Sequence, residues 1–130
     1  MSSAFFDSNV VLYMVGSDPA KAQRTEKLVL GGGHVSAQVL NEVTSVMRRK
    51  QTASWQDIRN LLALTRHWCV VHPLDLQTHD AALTIAERFN FHIYDASILA
   101  AAKLAGCATV WSEDMQDGQV IEGVTIRNPF

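Results

Sequence analysis

Acidic residues occupy positions in this sequence where a carboxylate is costly unless it has a chemical task. Asp7 directly follows the apolar run Ala4-Phe5-Phe6, and Asp114 comes shortly after the apolar pair Val110-Trp111. Asp95 begins a helical pattern and, at about 100° per residue, projects onto the apolar stripe of that helix. All three acids therefore lie at the junctions between predicted apolar elements.

Glu42 is a fourth acid of this kind. It belongs to a helical pattern with an apolar stripe that includes Val39, Val43 and Val46, and it lies about 40° outside Val46. An unpaired carboxylate beside a buried stripe costs on the order of several kcal/mol unless something compensates its charge. Arg49, seven residues later on nearly the same side, is one candidate for that compensation.

Each acid also has an ordinary structural interpretation. Asp7 fits a turn or a helix cap, Asp95 fits an N-cap that accepts backbone N–H groups, and Asp114 fits a polar loop. Four such acids together favour one shared partner. A divalent cation is the natural candidate, because Mg²⁺ prefers carboxylate oxygens and keeps several of its waters.

The elements that would position these acids alternate along the chain. Short apolar runs separated by helical patterns of 10–15 residues predict an α/β fold with a mainly parallel sheet. In such sheets ligands bind outside the carboxyl ends of the strands. We expect strands at 4–6, 34–36, 69–72, 108–111 and 124–126, the last at an edge, and helices near 10–13, 21–30, 37–50, 54–67, 76–89 and 94–105.

Length and composition set limits on the function. The 130 residues predict a single domain over 1–130, with a formal net charge of -2 that excludes the strongly basic class of nucleic-acid binders. Residues 1–66 nevertheless carry +3 and residues 67–130 carry -5. Cys69 and Cys107 lie in separate apolar runs and indicate buried free thiols. Without a leader or a long apolar span, we expect a soluble cytoplasmic protein.

Four segments of the chain resemble the four blocks of PIN-domain nucleases, and most closely those of VapC-like toxins from bacterial toxin–antitoxin pairs. The resemblance covers essentially the whole chain, in the family's order and spacing. It implies a three-layer α/β/α sandwich with an acidic quartet that binds Mg²⁺ or Mn²⁺ and hydrolyses RNA phosphodiester bonds. The segments are Phe5-Phe6-Asp7-Ser8-Asn9-Val10-Val11-Leu12-Tyr13, Val39-Leu40-Asn41-Glu42-Val43, Tyr94-Asp95-Ala96-Ser97-Ile98-Leu99-Ala100-Ala101-Ala102 and Trp111-Ser112-Glu113-Asp114-Met115-Gln116-Asp117-Gly118.

Carried over residue by residue, the resemblance implies that Asp7, Glu42, Asp95 and Asp114 are both the metal ligands and the catalytic acids. If it holds, the protein is the ribonuclease toxin of a VapBC-type pair, forms a homodimer, and binds an antitoxin that blocks the acidic site. Without these four acids the formal charge would be +2, so much of the acidic balance would belong to the site rather than to the surface.

Residues beside the quartet have supporting roles on the same resemblance. Ser8 and Asn9 follow the first acid as in the family, where a hydroxyl and an amide support the cluster through hydrogen bonds. Ser112 matches the Thr or Ser that often begins the family's fourth block. Glu113 is an additional acid in that block, and it or Asp117 would ligate a second ion or be solvated.

A basic run at 48–50 is the candidate RNA contact. Arg48, Arg49 and Lys50 close the Glu42 helix, where they would meet RNA phosphates or simply complement the helix dipole.

Two other functions remain open from the sequence. An Asp after the first strand also suits a phosphatase or phospho-acceptor domain built on Asp7, although the chain lacks a DxD pair there and its late lysine, Lys103, lies inside an Ala-rich helix. The second is a metal-binding RNA-binding module without turnover.

Overall fold

The helices and strands follow the alternation in the sequence. The computed structural model describes residues 4–130. Its strands are β1 Ala4–Phe6, β2 Gly33–Ser36, β3 Cys69–His72, β4 Thr109–Trp111, β5 Val120–Ile121 and β6 Val124–Arg127. Its α-helices are α1 Ser8–Leu12, α2 Pro19–Leu30, α3 Ala37–Arg49, α4 Trp55–Trp68, α5 Leu76–Phe89 and α6 Ile93–Leu104, and a short 3-10 helix, Tyr13–Val15, follows α1.

The six strands form one sheet in the order β3-β2-β1-β4-β6-β5. All neighbouring pairs are parallel except β5 and β6. Helices cover the two faces of the sheet, which confirms the predicted three-layer α/β/α sandwich with a mainly parallel sheet. Phe5 and Phe6 on the central strand β1 point to opposite faces and are 0% and 1% exposed, as expected for a strand that is covered on both sides.

A glycine allows β2 to lie close against β1. A Cβ atom on Gly33 would come within 2.5 Å of the Phe6 ring and 2.9 Å of the Ala4 carbonyl oxygen. Only a residue without a side chain fits there.

The start of α6 differs from one interpretation of the sequence. His92, not Asp95, is the N-cap, and its Nδ1 accepts from the backbone N–H of Tyr94 at 3.2 Å. Asp95 lies within the first helical turn. Its carboxylate is therefore not used in capping the helix, and it remains available at the sheet edge.

The prediction that the last strand lies at an edge is wrong. Strand β6 lies inside the sheet, parallel to β4 and antiparallel to β5. The edge is β5, a two-residue strand that the sequence did not predict. It is created by the turn at Glu122 and Gly123, which both have positive φ angles and reverse the chain direction.

Two further properties of the chain bear on the sequence expectations. Cys69 and Cys107 are free and buried, as predicted. Within residues 4–130, no helix has the length and apolar character that a membrane span requires.

Candidate active site

Four acids from separate elements meet at the carboxyl edge of the sheet. Asp7 lies between β1 and α1, Asp114 lies in the loop after β4, Glu42 lies on α3, and Asp95 lies in the first turn of α6. Strands β1 and β4 are neighbours, so their following loops lie side by side. The charges of Glu42 and Asp95 both act on Asp7, and that of Asp114 acts on Asp95, so the four form one electrostatic cluster.

Asp7 is the most buried of the four, with 4% of its surface exposed. One carboxylate oxygen accepts from the Ser8 backbone N–H at 2.7 Å. The other accepts from the Ser112 hydroxyl at 2.9 Å and from the Asn9 amide at 3.1 Å. Burial raises the pKa of Asp7 to about 6, although the hydrogen bonds from Ser112 and Ser8 oppose the rise. The Asp7 side chain thus caps α1 and is held in one orientation by its hydrogen bonds, while burial of its charge destabilises the fold.

Glu42 is held between two neighbours at the flank of α3. Its carboxylate accepts from the Ser8 hydroxyl at 3.0 Å and from the Gln38 amide at 3.3 Å. Burial raises the pKa of Glu42, and the charge of Asp95 adds to the rise. The ion pair with Arg49 that the sequence allowed does not form, because the Arg49 Nε instead donates to the Ser45 hydroxyl at 3.0 Å. Glu42 therefore has no cationic partner among the described residues.

Asn9 connects the first acid to the last. Its amide nitrogen donates to Asp7 and, at 3.2 Å, to the carboxylate of Asp114. The side-chain oxygen of Asn9, Oδ1, accepts from the backbone N–H of Glu113 at 2.9 Å, which fixes the loop after β4. Asp95 faces the same region, where burial raises its pKa and the charge of Asp114 raises it further, against the opposing effect of His92.

The chemistry of these donors fits a hard divalent cation. All four side chains offer carboxylate oxygens, which Mg²⁺ and Mn²⁺ prefer. None of the ion pairs found within residues 4–130 involves any of the four acids. Over the same range, no group of three or more His, Cys, Asp or Glu side chains already has the spacing of a metal site. The hydroxyl of Ser8 and the amide of Asn9 instead stand between the carboxylates.

The two additional acids of the fourth block are engaged elsewhere. Glu113 accepts from Lys21 Nζ at 2.6 Å and from the Tyr13 hydroxyl at 2.5 Å, and these contacts lower its pKa. Asp117 accepts from the backbone N–H of Asn128 at 2.8 Å. These three contacts fix the loop that carries Asp114.

The basic run at the end of α3 divides into different environments. Arg48 stacks on the Trp55 ring with its Cζ 4.5 Å from the centroid, and it donates to the Ala53 carbonyl oxygen at 3.0 Å. Arg49 instead lies beside a cavity that Glu42 also lines. Lys50 is the exposed C-cap of the helix. Of these three residues, Arg49 is the one that shares a surface with the acids.

Sequence reasoning missed some residues around the acids. Gln38 is 7% exposed and binds both Glu42 and, at 2.8 Å, the carbonyl oxygen of Tyr94. Its position four residues before Glu42 on one helix face was the available signal. No comparable signal linked Tyr13 and Lys21 to Glu113, because those contacts join residues about 90 to 100 positions apart.

Comparison with known proteins agrees with this architecture. A sequence model of the PIN domain matches residues 4–116. No curated protein matches the sequence at a significant level.

Several solved structures share the fold. A toxin–antitoxin complex from Klebsiella pneumoniae has a TM-score of 0.73 at 17% identity, with 98% of both chains covered. VapBC2 from Rickettsia felis, bound to a promoter DNA fragment, has a TM-score of 0.68 at 15% identity, covering 96% of this chain and 97% of that one. VapC20 from Mycobacterium tuberculosis, described as a toxin that cleaves the Sarcin-Ricin loop, has a TM-score of 0.63 at 16% identity, covering 85% and 89%.

Proposed function

This chain belongs to the PIN domain family, and on that basis we propose that it is a metal-dependent endoribonuclease, the toxin of a VapBC-type toxin–antitoxin pair. The observation that supports the proposal best is the meeting of Asp7, Glu42, Asp95 and Asp114 at one sheet edge without a cationic partner among the described residues. Uncompensated carboxylates destabilise a fold unless a ligand neutralises them.

The four acids would hold Mg²⁺ or Mn²⁺. When bound, such an ion lowers the pKa of a coordinated water and offsets the charge that develops on the phosphoryl group. The chain's own contribution is orientation. Ser8, Asn9 and Ser112 fix the Asp7 carboxylate, while Gln38 and Ser8 fix that of Glu42. Such second contacts set the direction and basicity of the ligating groups.

The alternative of a phospho-acceptor at Asp7 has less support. Asp7 is 4% exposed, and both of its oxygens already accept hydrogen bonds from Ser8, Asn9 and Ser112. Lys103, the late lysine that such chemistry would use, binds Glu122 in the β5–β6 turn. Acetyl-phosphate labelling of Asp7 would favour this alternative over hydrolysis of RNA.

A cleavage assay tests the ribonuclease proposal. Purified protein should cleave RNA in Mg²⁺ or Mn²⁺, lose the activity in EDTA, and recover it when the metal is restored in excess. Asp7→Asn and Asp95→Asn should each abolish cleavage while keeping the fold. Asp80→Asn, on the exposed face of α5, is the matched control and should cleave like the wild type. Wild-type rates in either site variant would overturn the assignment.

The remaining parts of the proposal concern partners. RNA would be the substrate, in the cytoplasm. Within the basic run Arg48, Arg49 and Lys50, Arg49 is the residue that lines a cavity together with Glu42. The structural neighbours include toxin–antitoxin complexes, so we expect a cognate antitoxin encoded beside this protein that covers the acidic edge. Co-expression with the product of the neighbouring gene should yield a complex without RNase activity. We expect a homodimer, and light scattering of the purified protein checks it.

A further inference from the structure

A cavity of about 550 Å³ adjoins the acidic cluster, and its use is not explained by the hydrolytic chemistry alone. Glu42 and Ser8 form part of its wall, so it opens directly beside the cluster. Its volume lies within the range of pockets that hold small organic groups. The other lining residues that matter here are Asn41, Ser45, Arg49, Leu74 and Tyr94.

Tyr94 presents an aromatic ring to solvent from a fixed backbone. Its carbonyl oxygen accepts from the buried Gln38 at 2.8 Å, and its N–H donates to the His92 side chain at 3.2 Å. The residue is nevertheless 61% exposed. Such a ring does not contribute to the core, and it lies next to Asp95 in the chain. An anchored, exposed aromatic side chain is a suitable platform for stacking.

One face of α3 leads from the acids to a positive charge. Glu42, Ser45 and Arg49 follow one another at spacings of three and four residues, so they lie on the same side of the helix. The Ser45 hydroxyl holds Arg49 Nε at 3.0 Å. Seven residues of helix place Arg49 about 10 Å beyond Glu42 along the axis. The cavity thus has a carboxylate at one part of its wall and a guanidinium at another.

We propose that this cavity is a subsite for one unstacked nucleotide of the RNA substrate, with its base on the Tyr94 ring and its backbone phosphate at Arg49. The proposal rests on the proposed ribonuclease function and identifies where the strand lies beside the acids. Proteins recognise single-stranded RNA by stacking splayed bases on aromatic rings and by placing arginine at phosphates. Asn41 and Ser45 line the same cavity and would offer polar side chains to the nucleotide.

Binding to labelled single-stranded RNA tests this subsite without cleavage if every protein also carries Asp7→Asn. In this background, Tyr94→Ala should lower the affinity roughly 5- to 150-fold, which is the range for one base–aromatic stack. Tyr94→Phe keeps the ring and should restore the affinity. Trp68→Ala is the matched control, because Trp68 is 40% exposed but does not line this cavity, and it should bind like its parent.

An abasic scan separates stacking from a merely structural role. The RNA carries one abasic nucleotide at each position in turn, and every RNA is measured with Tyr94 and with Ala at this position. At one position of the RNA, removing the base should lower the affinity for the protein that has Tyr94. The same change should hardly lower the affinity for the Tyr94→Ala variant. Additive losses at all positions would overturn the subsite.

The salt dependence tests the phosphate contact. Arg49→Gln should reduce the slope of log affinity against log salt concentration by about 0.7, the value for one phosphate contact on a single strand. Arg49→Lys should keep the slope. An unchanged slope in Arg49→Gln would remove Arg49 from the subsite.

The outcomes also distinguish this subsite from the ribonuclease function and from a protein interface. Wild-type protein that cleaves no RNA, together with Tyr94-dependent binding in the Asp7→Asn background, would leave the subsite standing and remove the hydrolytic function. Active protein whose KM and RNA affinity are unchanged by Tyr94→Ala would overturn the subsite alone. If Tyr94→Ala instead alters the oligomeric state at unchanged RNA affinity, the face is covered by a second copy of the chain, and the proposal is wrong.

Discussion

Two sets of carboxylates in this protein have opposite surroundings. Burial is the largest cause that raises the pKa of three carboxylates, Asp7, Glu42 and Asp95. Glu113 and Glu122 are each paired with cations. Lys21 binds Glu113 at 2.6 Å, while Arg88 at 3.3 Å and Lys103 both bind Glu122. The difference shows where the fold supplies a positive charge and where it does not.

The contrast is sharpest within the loop after β4. Glu113 and Asp114 are consecutive, yet Glu113 turns to Lys21 and Tyr13 while Asp114 turns to Asn9 and faces Asp95. Among the described residues no lysine or arginine pairs with the acidic cluster, although Lys21 pairs with the adjacent Glu113, so the arrangement is selective. A paired carboxylate stabilises structure, whereas an unpaired one beside three others is prepared for a ligand of opposite charge.

The largest predicted effect separates these consecutive acids. Asp114→Asn should lower the rate of RNA cleavage by a factor on the order of 10³, because several kcal/mol of metal-dependent stabilisation corresponds to that factor. Glu113→Gln should stay within about tenfold of the wild type, since it changes only how firmly the loop is held. Initial rates in Mg²⁺ measure both.

The opposite ranking of the two variants would mean that Glu113, not Asp114, is the acid that acts in cleavage. If Glu113→Gln were the inactive variant, Glu113 would be the metal ligand. Its contact with Lys21 would then be exchanged for the metal ion when the ion binds. Equal losses would mean that both acids act on the ion. Circular dichroism of each variant excludes unfolding as the cause.

A smaller effect concerns stability, and here neutralising an acid should help. In EDTA at pH 8, Asp7→Asn should raise the free energy of unfolding by about 1–2 kcal/mol. The shift in pKa from 3.8 to about 6 sets a ceiling of about 3 kcal/mol. The gain falls short of the ceiling because the amide of Asn places a donor opposite the Asn9 amide, where Asp7 accepts at 3.1 Å.

The pH dependence gives this stability prediction its sign. Because the pKa of Asp7 is raised on folding, the folded protein takes up the proton before the unfolded chain as the pH falls. The wild type should therefore gain stability relative to Asp7→Asn between about pH 7 and pH 4, and the advantage of the variant should disappear below that. Urea unfolding at several pH values measures it, and a difference independent of pH would contradict the burial of an ionised Asp7.

Much of this arrangement could be predicted from local patterns. Apolar runs ending at Phe6 and Trp111 marked strands, and the acids after them fell at the edge where parallel strands end. Helical periodicity placed Glu42 beside a buried stripe, where the structure has it half-buried. These features depend on residues close together in the chain, which is why periodicity revealed them.

Contacts between distant segments could not be predicted in the same way. Nothing near Glu113 in the sequence indicates Lys21 or Tyr13, which lie 92 and 100 positions away in the chain. The two-residue strand β5 is too short to show an alternation of apolar and polar residues. The sequence therefore did not indicate the turn at Glu122, which places β6 inside the sheet. Side-chain partners at this range depend on the packed fold rather than on spacing.

The smallest predicted effect concerns Glu122, a carboxylate that is paired with cations. Glu122 joins the β5–β6 turn to α5 through Arg88 and to α6 through Lys103, with both cations largely in solvent. Exposed ion pairs contribute about 0–1 kcal/mol, so Glu122→Gln should lower the free energy of unfolding by less than about 1 kcal/mol and leave RNA cleavage unchanged. The sign is the reverse of that for Asp7→Asn, because here the charge that is removed already has partners.

Raising the salt concentration should shrink the difference between wild type and Glu122→Gln, since salt screens exposed pairs. If urea unfolding showed a gain in stability for Glu122→Gln at low salt, the two sets of carboxylates would not differ in the way their contacts indicate.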